Sequence, residues 1–119
     1  MFRTIALCAS VCALRALAAD QVTLIAANDA TLYESELGEL ANGAGEHSYA
    51  GLTFGAGMRR ALYRFDVAAA IPAGAQIVDV QLVLRVSRSF AGEDLVYLHR
   101  VLASWGEGAS DAGDPGGQG

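Results

Sequence analysis

Lysine is absent from this chain of 119 residues, and its eight basic residues, all arginine, face 13 acidic ones for a formal net charge of −5. Nucleic acid and anionic membrane surfaces are bound by clustered cations that neutralise phosphates, and only Arg59, Arg60 and Arg64 lie close together here. Those partner classes are therefore excluded. Histidine is limited to His47 and His99, too few for an ordinary histidine zinc site without help. Cysteine is limited to Cys8 and Cys12, both within the first 19 residues, so the rest of the chain has neither disulfide nor thiol chemistry. No Gly-x-Ser-x-Gly elbow, phosphate loop or His-Glu-x-x-His pair is present, which argues against an enzyme. Carboxylates are plentiful, and two acids at a suitable separation suffice for glycoside hydrolysis, so a fragment of a polysaccharide-active enzyme stays open as a remote alternative.

What is present begins with a leader. Arg3 supplies a positive start, residues 4–14 an apolar stretch, and Ala16, Leu17 and Ala18 a small-residue cleavage pattern. Residues 1–19 are expected to be a signal peptide, and the apolar stretch is too short to cross a bilayer as a helix. The residue before each cysteine is Leu7 or Val11, not the small residue that a lipoprotein requires. The expected location is secreted or extracytoplasmic: extracellular, cell surface or periplasm. Loss of Arg3 and Arg15 leaves six arginines against the 13 acids, so the charge moves from −5 to −7.

The remainder reads as strands. Val78, Val80, Leu82, Leu84 and Val86 fall on one parity, with Asp79, Gln81, Arg85 and Ser87 on the other, the period of a pleated strand over residues 77–87. Burial of those five side chains would contribute roughly 10 kcal/mol and fix the register. Further strands are expected at residues 21–27 and 31–33, separated by the turn-prone pair Asn28 and Asp29, and at residues 48–54, 59–67 and 94–102. In the fourth of these, Ala61, Tyr63, Phe65 and Val67 share a face, with Tyr63 and Phe65 expected in the core. Residues 34–46 read as an acidic surface loop, with a short helical turn possible over 35–40. About six strands without an amphipathic helix predict an all-β antiparallel sandwich over residues 20–105. Residues 106–119 are rich in glycine, and the expectation is either a disordered tail or the start of a missing C-terminal part, the chain being a fragment.

The order of residues 60–66, the Ile71-Pro72-Ala73-Gly74-Ala75 break, the strand at 77–86, and His99-Arg100-Val101 followed by Ser104-Trp105-Gly106-Glu107-Gly108 resembles the DNRLRE-type domain. That family, related to the disaggregatase repeats, is similar to carbohydrate-binding modules with a jelly-roll fold. The resemblance covers roughly residues 20–119 and implies a noncatalytic module of a larger exported protein, truncated here at its C-terminus. Its partner would be a polysaccharide or cell-wall glycan, and the alternative is a structural surface module without a small ligand. Members that bind acidic polysaccharides would use basic side chains, which an acidic chain without lysine does not favour.

Tyr97 and Trp105 are the expected ligand-binding residues, since an aromatic ring can stack on a sugar. A tryptophan between a strand and a glycine turn can equally plug the end of a sandwich, with its N–H bonded to backbone. Tyr33, Tyr49 and Phe90 are further aromatic candidates. Asp66 with Arg64 and Arg60 reads as a polar outer face, more simply a solvated ion pair. Asn28, Asp29, Glu34 and Glu36, with Glu93 and Asp94 elsewhere, offer oxygens for a structural calcium at Asp29, although no loop has the spaced acidic pattern of a dedicated calcium motif. No other cofactor is expected.

Overall fold

The computed structural model describes residues 20–53, 56–89, 92–93 and 95–113. The expected leader with Cys8 and Cys12, together with Phe54, Phe90, Asp94 and residues 114–119, lies outside them.

Four strands, β1 (Asn28–Tyr33), β2 (Ala41–Asn42), β3 (Gly51–Thr53) and β4 (Ala56–Arg64), form one antiparallel sheet in the order β2-β1-β4-β3. The β1 and β4 strands pair over their whole common length, from Asn28 opposite Arg64 to Tyr33 opposite Arg59. Because side chains alternate across a strand, this register sorts the sheet into two faces. One carries Asp29, Thr31, Tyr33, Arg59, Ala61 and Tyr63; the other carries Asn28, Ala30, Leu32, Arg60, Leu62 and Arg64.

The expected parity of residues 59–64 is therefore observed, but the first strand is displaced. The pair Asn28 and Asp29 opens β1 instead of turning between two strands. Turn propensity in these residues reflects side chains competing for local backbone partners. Here those side chains are occupied by Glu107, Arg64 and Ser48, and a ladder forms.

Edges are short. The two residues of β2 pair with Thr31 and Leu32 inside the stretch expected as a loop, and β3 pairs with β4 across a register shift between Leu52 and Thr53. Gly51 opens β3 at φ +114°, a conformation that side chains disfavour. Beyond β4, Asp66 ends the strand by accepting a 3.2 Å hydrogen bond from the Ala69 N–H, which caps the four-residue helix α1 (Val67–Ala70). Val67 is thus helical, not the last residue of the strand face.

Burial centres on β1. Thr31 is fully buried, and Ala30, Tyr33 and Asn42 are nearly so, whereas Tyr63 and Phe65 are only partly covered. The larger departure concerns residues 77–87 and 95–102, which enter no ladder among the described residues. Val78, Val80 and Val86 are 73%, 79% and 74% exposed, and Leu82 and Leu84 are 41% and 46% exposed. An alternating pattern buries its apolar parity only against a facing layer, and the described residues place none across it. The architecture shown is an antiparallel all-β sheet.

Candidate functional site

A polar and aromatic cluster forms where the start of β1, the end of β4 and residues 105–107 meet. Asn28 and Arg64 are register partners, and the Arg64 guanidinium donates to the Asn28 side-chain oxygen. The same amide uses its Nδ2 to donate to Glu107 Oε2 at 2.7 Å, while the Asp29 backbone N–H donates to Glu107 Oε1 at 3.2 Å. These two bonds hold the Glu107 carboxyl below its ordinary value; the Asn28 bond is the larger cause, and Arg64 adds a smaller contribution. The Arg64 guanidinium also lies 5.9 Å from the centre of the Trp105 ring, in the geometry of a cation–π contact. Ser48 completes the group by donating its hydroxyl to Asp29 Oδ2.

The glycine-rich stretch after Trp105 is part of this construction. Gly43 and Ala44 donate their backbone N–H groups to the Ser110 carbonyl, each at 2.9 Å. Asn42 works from the sheet side: its Oδ1 accepts from Gly45 N at 3.0 Å and Ala112 N at 3.2 Å, and its Nδ2 donates to the His47 carbonyl at 3.2 Å. The approach is close enough that a Cβ at Gly43 would overlap the Glu107 carbonyl, so glycine is required there.

A second aromatic group lies at the other end of β1. Arg59 stands over both Tyr33, at 5.1 Å, and Tyr49, at 5.6 Å from the ring centres. The Tyr49 N–H donates to Thr31 Oγ1 at 2.8 Å, which ties the segment before β3 to the centre of β1. The Tyr33 hydroxyl is buried without an aligned hydrogen-bond partner, and burial raises its pKa above 10.0 against the opposing pull of Arg59.

The two residues expected to bind ligand stand in different surroundings. Trp105 is partly buried in the Arg64 cluster, whereas Tyr97 is 71% exposed and its ring neighbour is His99, 6.4 Å away. No ring contact joins Tyr97 to Trp105 among the described residues. Asp66 caps α1 rather than facing Arg64 across a polar site. Glu34 accepts from the Met58 N–H at 2.7 Å, fastening the end of β1 to β4. Among the described residues no group of three or more His, Cys, Asp or Glu is placed to hold a metal ion. Calcium at Asp29 would draw most of its oxygens from backbone carbonyls and water.

Sequence reading missed Asn28, Arg64 and Glu107 as one unit. The partners lie far apart along the chain, and only the β1–β4 register brings Arg64 to Asn28. The sheet defines an antiparallel all-β protein. No protein-family model matches the chain, and no curated protein or solved structure matches it.

Proposed function

We propose that the chain is an exported, noncatalytic β-sandwich module that binds a carbohydrate or cell-surface polymer as part of a larger protein. The observation that carries this reading is the half-covered Trp105 indole beside Asn28, Asp29, Arg64 and Glu107. Sugars are held by an aromatic face and a few oriented hydrogen bonds, and this cluster supplies both kinds of group. Two carboxylates beside one guanidinium favour a neutral glycan over a polyanion. Tyr97, exposed on a separate segment, is a second stacking position, and a structural calcium at Asp29 belongs to the same proposal.

Glycan-array binding of the full chain, with and without millimolar calcium, tests all three parts. Trp105→Ala and Tyr97→Ala should each reduce binding while circular dichroism stays unchanged, and calcium should raise the melting temperature. Binding that survives both substitutions removes the aromatic platform. An unmoved melting temperature removes the ion, and a blank array leaves the architectural surface module.

A further inference from the structure

Residues 77–87 pair with no strand among the described residues, and their apolar positions Val78, Val80, Leu82, Leu84 and Val86 are placed symmetrically about Leu82. Thirteen large apolar side chains between Ile77 and Leu102 are 41–88% exposed. Among the described residues no non-glycine residue has a positive φ, and residues 77–87 contain no glycine, so no left-handed backbone bars strand pairing there.

We infer that two copies of this chain associate by pairing residues 77–87 antiparallel about a two-fold axis at Leu82. Laid against its own copy in that register, Leu82 meets Leu82, Val80 meets Leu84 and Val78 meets Val86, so the apolar parity stays on one face throughout. On the other face Asp79 falls opposite Arg85, twice by symmetry, and Gln81 falls opposite Val83. A shift by one residue to either side destroys the opposition of Asp79 and Arg85. The chain as a whole is acidic, at −5, but residues 77–102 hold Asp79, Glu93 and Asp94 against Arg85, Arg88 and Arg100. A second copy therefore brings no net charge repulsion to this contact, whereas it would over most of the surface. Symmetric pairing is self-complementary and closed about its axis, and it converts exposed β-forming segments into a paired ladder. This association stands whether or not Trp105 meets a sugar.

Light scattering of the full chain across a concentration series should give a dimer mass. Arg85→Asp places aspartate opposite Asp79 in both symmetric pairs and should weaken association on the order of tenfold. The combined Asp79→Arg and Arg85→Asp chain restores opposite charges and should restore the dimer. In a Cys8→Ser, Cys12→Ser background, Leu82→Cys should oxidise to a linked dimer faster than Val83→Cys, because only position 82 faces itself across the axis. A monomer at every concentration overturns the proposal. So does a dimer that tolerates Arg85→Asp and does not link through position 82. Protection of amides 77–87 from hydrogen exchange in a monomer would assign the segment another occupant and overturn it equally.

Discussion

Tyr33 combines a well-placed ring with a poorly placed hydroxyl. Its ring lies under Arg59 at the end of β1, yet its oxygen is buried without an aligned hydrogen-bond partner. An unsatisfied buried polar atom costs about 1–3 kcal/mol, so Tyr33→Phe should raise stability by about 1 kcal/mol in urea unfolding. The same burial raises the phenol pKa above 10.0, which means that the neutral form is favoured in the folded state. Its contribution is present below pH 10 and fades as pH rises through the folded value, so Tyr33→Phe should also flatten the alkaline end of the stability profile. Glu107 behaves in the opposite sense. Its pKa is lowered from 4.5 by Asn28 and the Asp29 N–H, so its contribution is complete above that value and is lost as pH falls through the depressed one. Glu107→Gln should remove that acid-dependent loss from a series of thermal melts between pH 5 and pH 2.

Asn42 shows how a two-residue strand holds two loops. Buried beside Thr31, it ties Gly45, His47 and Ala112 to the sheet through one amide. Three hydrogen bonds at about 0.5–1.5 kcal/mol each make Asn42→Ala destabilising by about 2–4 kcal/mol, measurable as a shift in urea midpoint. At this scale the sequence was unevenly legible. The alternation in residues 59–64 announced β4 and sorted its side chains onto two faces, but the strand stops at Arg64 and the expected core residues Tyr63 and Phe65 are only partly covered. The turn signal of Asn28 and Asp29 pointed the wrong way, since the groups that satisfy their side chains are 19 to 79 residues distant. Asn42 could not be recognised in advance at all. A polar residue in a glycine-rich loop looks the same whether it is exposed or forms a buried bridge.

For the whole molecule, the sheet class was readable and the extent of the sheet was not. Period-two patterning shows which side chains share a face, but not whether a second layer lies over that face. Residues 77–87 have as regular an alternation as any in the chain, and remain outside the ladder. The glycine-rich stretch erred the other way. It offered no apolar residues to pack, yet residues 107–112 attach to the sheet region through backbone groups and the Glu107 carboxylate. Such attachment leaves almost no compositional trace, because the backbone supplies donors and acceptors whatever the side chain.

The clasp between Asn28 and Glu107 closes a separation of 79 residues, while the β1–β4 ladder closes at most 36. Chain closure grows costlier with length, so the nearer strands have reason to assemble before the distant arm arrives. In vectorial synthesis that order is reinforced, since residues 28–64 emerge well ahead of Glu107. Indole fluorescence from the sole tryptophan reports the late step, and after dilution from urea it should lag behind the far-ultraviolet signal of the strands. Simultaneous recovery of both signals would mean that the two ends of this polypeptide condense in a single event.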